Sequence, residues 1–86
     1  MKTNDELIEA VLNNCYENRG LGYCDLDALI DSIAGYEVDD KDKRRIEFDI
    51  QTYHLLDQVP SGYGANAKTC EIVKKGGYIK YKTGTK

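Results

Sequence analysis

The chain has 86 residues, a net charge of −3, one histidine, one phenylalanine and no tryptophan. A chain this short cannot divide its apolar residues between two cores, so one domain is expected over residues 1–82, with residues 83–86 as a flexible tail. No run of about 18 apolar residues is present, and the opening MKTNDELIEA turns acidic without an apolar stretch, so neither a membrane span nor a secretory signal is read here.

The first element is a helix. Thr3 followed by Glu6 fits a capping box, in which each side chain satisfies an amide that the helix start leaves orphaned. Leu7, Ile8, Val11, Leu12 and Cys15 continue as an apolar stripe, and Gly20 is the expected stop. Residues 20–24 are too few and too Gly-rich for a helix, but suit a strand of two or three residues. Asp25 is placed to cap a second helix carrying Leu26, Leu29, Ile30 and Ile33, which Gly35 ends. Residues 36–38 are a linker, and Asp39 or Asp40 caps a third helix. Its inward positions are Ile46, Ile50 and Tyr53.

Residues 55–60 leave that helix as an extended segment, and Pro60-Ser61-Gly62 signals a turn. Beyond it the pattern reads two ways. Residues 66–75 form a fourth helix capped by Asn66, with Cys70 and Val73 inward, or the β-branched run at 69–73 returns as the second strand of a hairpin. Residues 78–82 alternate and predict a short strand or extended arm.

This order of elements resembles a winged helix-turn-helix, and the chain is similar over nearly its whole length to small bacterial and phage-type winged-helix proteins. The carriers are two short helices joined at residues 35–38, a longer third helix running into a wing strand, and the stretch KKGGYIKY at 74–81. The fold class implied is α+β: a three-helix core, a small β-hairpin wing, and a short fourth helix before a C-terminal arm. The resemblance also implies that the third helix enters the DNA major groove while the wing touches the backbone. The residues that would then meet DNA are Lys41, Lys43, Arg44, Arg45, Gln51 and Thr52 on the helix, with Tyr63, Asn66 and Lys68 in or beside the wing.

Charge argues on both sides. Residues 1–60 hold six Lys/Arg against fourteen Asp/Glu, whereas residues 61–86 hold six Lys against one Glu. A basic end suits nucleic acid, but an acidic body opposes broad charge-driven binding. Within residues 39–49 four positive charges meet five negative ones. Pairs such as Asp40–Arg44 and Arg45–Asp49 would then make this an ordinary solvated helix face. Tyr63, Tyr78 and Tyr81, interleaved with Lys68, Lys74, Lys75, Lys80 and Lys82, form the most suggestive patch. Tyrosine with lysine serves base stacking and protein contact alike.

Other chemistry finds no support in the pattern. Cys15, Cys24 and Cys70 show no C-x-x-C spacing, and His54 is the only histidine, so zinc is not expected. Free thiols in a reducing cytoplasm are the simple reading, although Cys24 and Cys70 are candidates to approach each other. His54 has no local nucleophile signature beside it. Residues 39–42 lack the glycine and terminal glutamate of a calcium loop, and the glycine pairs at 62/64 and 76/77 lack a P-loop's lysine. The sequence therefore predicts a binding module without catalysis, metal or cofactor. Its partner is double-stranded DNA in transcriptional control or mobile-element biology, or else another protein or a second copy of the chain.

Overall fold

The capping box at Thr3 forms as expected. In the computed structural model, which describes residues 3–20, 24–60 and 62–84, the Glu6 amide donates to the Thr3 hydroxyl and the Thr3 amide to the Glu6 carboxylate. Helix α1 (Asn4–Glu17) follows and buries Leu7, Ile8, Val11, Leu12 and Cys15. Its end corrects the expectation at Gly20. The helix closes at Asn18, whose backbone amide and side-chain Nδ2 both donate to the Asn14 carbonyl. The orphaned carbonyl is thus satisfied by an asparagine, and no left-handed glycine is needed.

Asp25 accepts from the Ala28 amide and starts α2 (Leu26–Ala34), which Gly35 ends in the left-handed conformation at φ 79°. Helix α3 (Asp40–Thr52) buries Ile46 and Ile50. Tyr53 was expected in the core beside them, yet it is 58% exposed. The reason is the helix terminus. Leu55 donates to the Ile50 carbonyl and His54 to that of Gln51, with His54 at φ 52°. That is a Schellman ending in which histidine takes the left-handed position usually given to glycine. The chain turns there, Leu55 enters the core in place of Tyr53, and the sole histidine has a structural use.

Strands β1 (Asp57–Val59) and β2 (Gly62–Gly64) pair antiparallel, with Asp57 opposite Gly64 and Val59 opposite Gly62. Cys24 and Tyr63 exchange both backbone hydrogen bonds, so the segment before α2 adds a one-residue bridge to the hairpin. The short strand considered for residues 20–24 reduces to this bridge among the described residues; Leu21, Gly22 and Tyr23 lie outside them. Gly62, at φ 145°, has no alternative, because a Cβ there would overlap the Cys24 carbonyl oxygen.

The two readings of residues 66–75 resolve to a helix, α4 (Ala67–Lys74). Asn66 accepts from the Thr69 amide, and Thr69 accepts in return from that of Asn66. The return strand is therefore excluded, since the same local hydrogen bonds nucleate a helix. The fully buried positions are Thr69 and Ile72, while Cys70 and Val73 are half-buried. Thr69 tolerates burial because its hydroxyl donates to the Leu55 carbonyl.

The last element corrects the sequence reading most clearly. Residues 78–82 are neither strand nor arm but the start of α5 (Tyr78–Gly84), which includes Thr83 and Gly84. Gly76 and Gly77 sit at φ 107° and 109°, and α4 closes on them with a second Schellman pair, Gly77 to Ile72 and Gly76 to Val73. The turned chain docks on α1, where Glu9 accepts the Ile79 amide at 3.0 Å. Tyr78 and Tyr81, three apart, then share the inward face.

Among the described residues, five helices and one two-stranded hairpin make an α+β fold in which α1 packs against the four other helices. No helix among the described residues is long and apolar enough to cross a membrane.

Candidate functional site

Helix α3 presents its outer face without cover. Lys41, Arg44, Arg45, Phe48 and Thr52 follow a spacing of three, four, seven and eleven residues, and all are exposed. That spacing places them on one stripe opposite the buried Ile46 and Ile50. Gln51 is exposed at its edge, though its Nε2 donates to the Tyr63 hydroxyl at 2.9 Å. Four of the predicted contact residues, Lys41, Arg44, Arg45 and Thr52, are thus brought together around an aromatic ring. Phe48 is 62% exposed, and no motif in the sequence marks it as a contact residue.

The other candidates are drawn into structural roles. The Lys43 side chain is only 13% exposed and pairs with Asp31 at 2.9 Å, joining α3 to α2. Asp31 also accepts the Val38 amide; that bond first, and Lys43 second, hold its carboxyl below the usual range. The hydrogen bond to Asp31 in turn raises Lys43. Tyr63 was expected at the wing surface, but it is 5% exposed and its hydroxyl donates to Glu47 at 2.6 Å. Burial, then the Glu47 carboxylate, raise its phenol. The Asn66 side chain caps α4 and donates to the His54 carbonyl and the Asp57 carboxylate. Lys68 lies over the Tyr81 ring, 4.9 Å from its centre.

Two grooves border α3. One, of about 420 Å³, is lined by Asn4, Asp5, Lys41, Asp42, Arg45, Asp49 and Lys82. Cations and carboxylates are equal in number there, and several are already paired. Arg45 lies 3.8 Å from Asp49, as its spacing suggested, and Lys82 lies 3.3 Å from Asp5. The other groove, of about 320 Å³, runs beside the hairpin and is lined by Asp25, Leu26, Asp27, Glu47, Pro60, Gly62 and Tyr63. It holds three carboxylates and no cation. The hairpin itself, residues 57–64, contains no lysine or arginine.

A third concavity, of about 320 Å³, is lined by Tyr53, Leu55, Lys68, Tyr78, Tyr81 and Lys82. Four residues of the tyrosine–lysine patch, Lys68, Tyr78, Tyr81 and Lys82, meet here, while Tyr63 lies in the hairpin. Tyr53 joins them because Leu55, brought inward after the His54 turn, fills the core position that helical spacing assigns to Tyr53.

The thiol that Cys24 meets is that of Cys15, at 3.3 Å. Among the described residues no group of three or more His, Cys, Asp or Glu side chains is arranged to hold a metal ion. Comparisons with protein-family models, with curated proteins and with solved structures found no match.

Proposed function

We propose that the chain is a winged-helix-like protein-interaction module that self-associates through the outer face of α3. The observation that carries this is Phe48, 62% exposed on the outer stripe of α3, whose Lys41 and Arg45 also border a groove where three cations meet three carboxylates. An aromatic ring in that setting gains from being covered, and protein interfaces are enriched in such residues. A second copy is the occupant that fits the charges best. Lys41, Arg45 and Lys82 lie among Asp5, Asp42 and Asp49, so a two-fold arrangement can set cations of one copy against carboxylates of the other.

Sedimentation over a range of concentrations tests the reading. The native chain should shift towards a dimer as concentration rises, and Phe48→Asp should remain monomeric with unchanged helical circular dichroism. A chain that stays monomeric at millimolar concentration refutes self-association.

DNA reading is the second possibility, favoured by Lys41, Arg44, Arg45 and Thr52 on one exposed stripe. The three carboxylates beside the hairpin weigh against it, because they stand where a wing would approach phosphates. Titration with a mixed-sequence duplex at low and near-physiological salt separates the two. Salt-sensitive shifts confined to residues 41–52 and 62–68 would favour DNA over self-association.

A further inference from the structure

The concavity beside α5 is built differently from the grooves around α3. Its floor is apolar, since Leu55 is 1% and Tyr78 4% exposed. Tyr53 stands at its mouth with an uncovered ring, and Tyr81 completes the wall. Two ammonium groups belong to it. Lys68 lies 4.9 Å from the Tyr81 ring centre and Lys82 lies 5.8 Å from that of Tyr78. Both lysines are therefore held against ring faces at the pocket. Among the described residues no carboxylate lines the pocket, but Asp5 pairs with Lys82 from the neighbouring groove, and Asp49 and Glu71 also act on its lysines.

We propose that this pocket binds a mononucleotide, its base stacking on the Tyr53 ring and its phosphate received by Lys68 and Lys82. An apolar floor beside phenol rings suits a base, because every base offers a π-face. The charged groups are lysines, point charges that receive phosphate, whereas a carboxylate is best matched by the fork of an arginine, which the pocket lacks. The volume of about 320 Å³ lies at the small end of ligand sites, which typically span roughly 300–1,000 Å³. The neighbouring Tyr81 also raises the Lys68 pKa above its ordinary value. Phe48 does not line this site, although Lys82 borders both it and the groove beside α3.

Adenosine 5′-monophosphate is the probe, titrated into labelled protein and followed by amide shifts. Saturable shifts should appear at residues 53–55, 68 and 78–82. Adenosine alone and inorganic phosphate alone should each bind at least about tenfold more weakly, because each keeps half of the contacts. Tyr53→Ala and Lys68→Ala should each weaken binding about tenfold while leaving other amides in place. Phe48→Asp should bind the nucleotide as the native chain does, which separates this site from the α3 face. The proposal is overturned if no saturable shift is seen to about 10 mM, or if phosphate alone binds as well as the nucleotide. An aromatic dipeptide with a free carboxylate binding more tightly than the nucleotide overturns it too.

Discussion

The thiols of Cys15 and Cys24 lie 3.3 Å apart, Cys15 on the buried face of α1 and Cys24 at the bridge that anchors the hairpin. A disulfide needs its sulfurs at about 2.05 Å, so the two must close by only about 1.3 Å. Exposure to a small-molecule disulfide such as oxidised glutathione should convert the pair to an intramolecular disulfide, releasing two small thiols and costing the chain two hydrogens. Mass spectrometry of the digest should find Cys15 linked to Cys24 and Cys70 free. The closed loop is short, so the gain against urea should be about 2–3 kcal/mol. A crosslink that uses Cys70 instead would contradict the contact.

The reduced protein should lose stability in alkali. Burial first, then Cys24, push the Cys15 thiol up from 9.0 to about 12. Burial also raises Tyr63 and Tyr78. In each case the unfolded chain releases its proton at a lower pH than the folded one. Stability is therefore full below about pH 9, near the ordinary thiol value, and falls as pH rises towards 12. Thermal melts at stepped pH should show the decline, and Cys15→Ala should make it shallower. An equal slope in that variant would remove Cys15 as a cause.

At the acid end Asp31 is the group to watch. The Val38 amide and Lys43 hold its carboxyl below its ordinary 3.8, so its contribution is present above that value and lost as pH falls through the lower, folded one. Asp31→Ala should lower the melting temperature at neutral pH, because both the linker amide and Lys43 lose their acceptor. Asp31→Asn should keep the amide contact, recover part of the loss and flatten the acid dependence. Melting curves from pH 2 to 7 on the three proteins decide it.

The features readable from the sequence were those whose partners lie within a turn or so. Thr3 with Glu6, Asp25 with Ala28, Asn66 with Thr69 and the stop at Gly35 are all local hydrogen bonds or local backbone preferences. What the sequence concealed depends on distant partners. Lys43 leaves the outer face of α3 for Asp31, twelve residues earlier, and Tyr63 is turned inward by Glu47, sixteen residues earlier. Tyr53 keeps helical spacing, but the turn at His54 brings Leu55 into the core in its place. Residues 78–82 satisfy a period of two and a period near three and a half alike. Packing against α1 settles that ambiguity, and nothing inside the segment announces it.

That packing hinges on Gly77, where a Cβ would meet Glu9 Oε1 at 2.6 Å and where φ is 109°. The same carboxylate oxygen accepts the Ile79 amide and so satisfies one of the free donors at the start of α5. Gly77→Ala should therefore cost about 1–3 kcal/mol, from the strained backbone and the displaced carboxylate together. Glu9→Ala should cost about 1 kcal/mol for the lost cap. Because both act through one contact, the double variant should lose less than the sum of the two. Hydrogen exchange gives the local readout: the Tyr81 amide, bonded to the Gly77 carbonyl, should exchange faster in each variant while the α2 amides keep their protection. If all amides loosen equally, α5 is part of the global folding unit, and its attachment through Glu9 is not a separable step. If α5 loosens alone, the pocket that Tyr78, Tyr81 and Lys82 help to line should open with it.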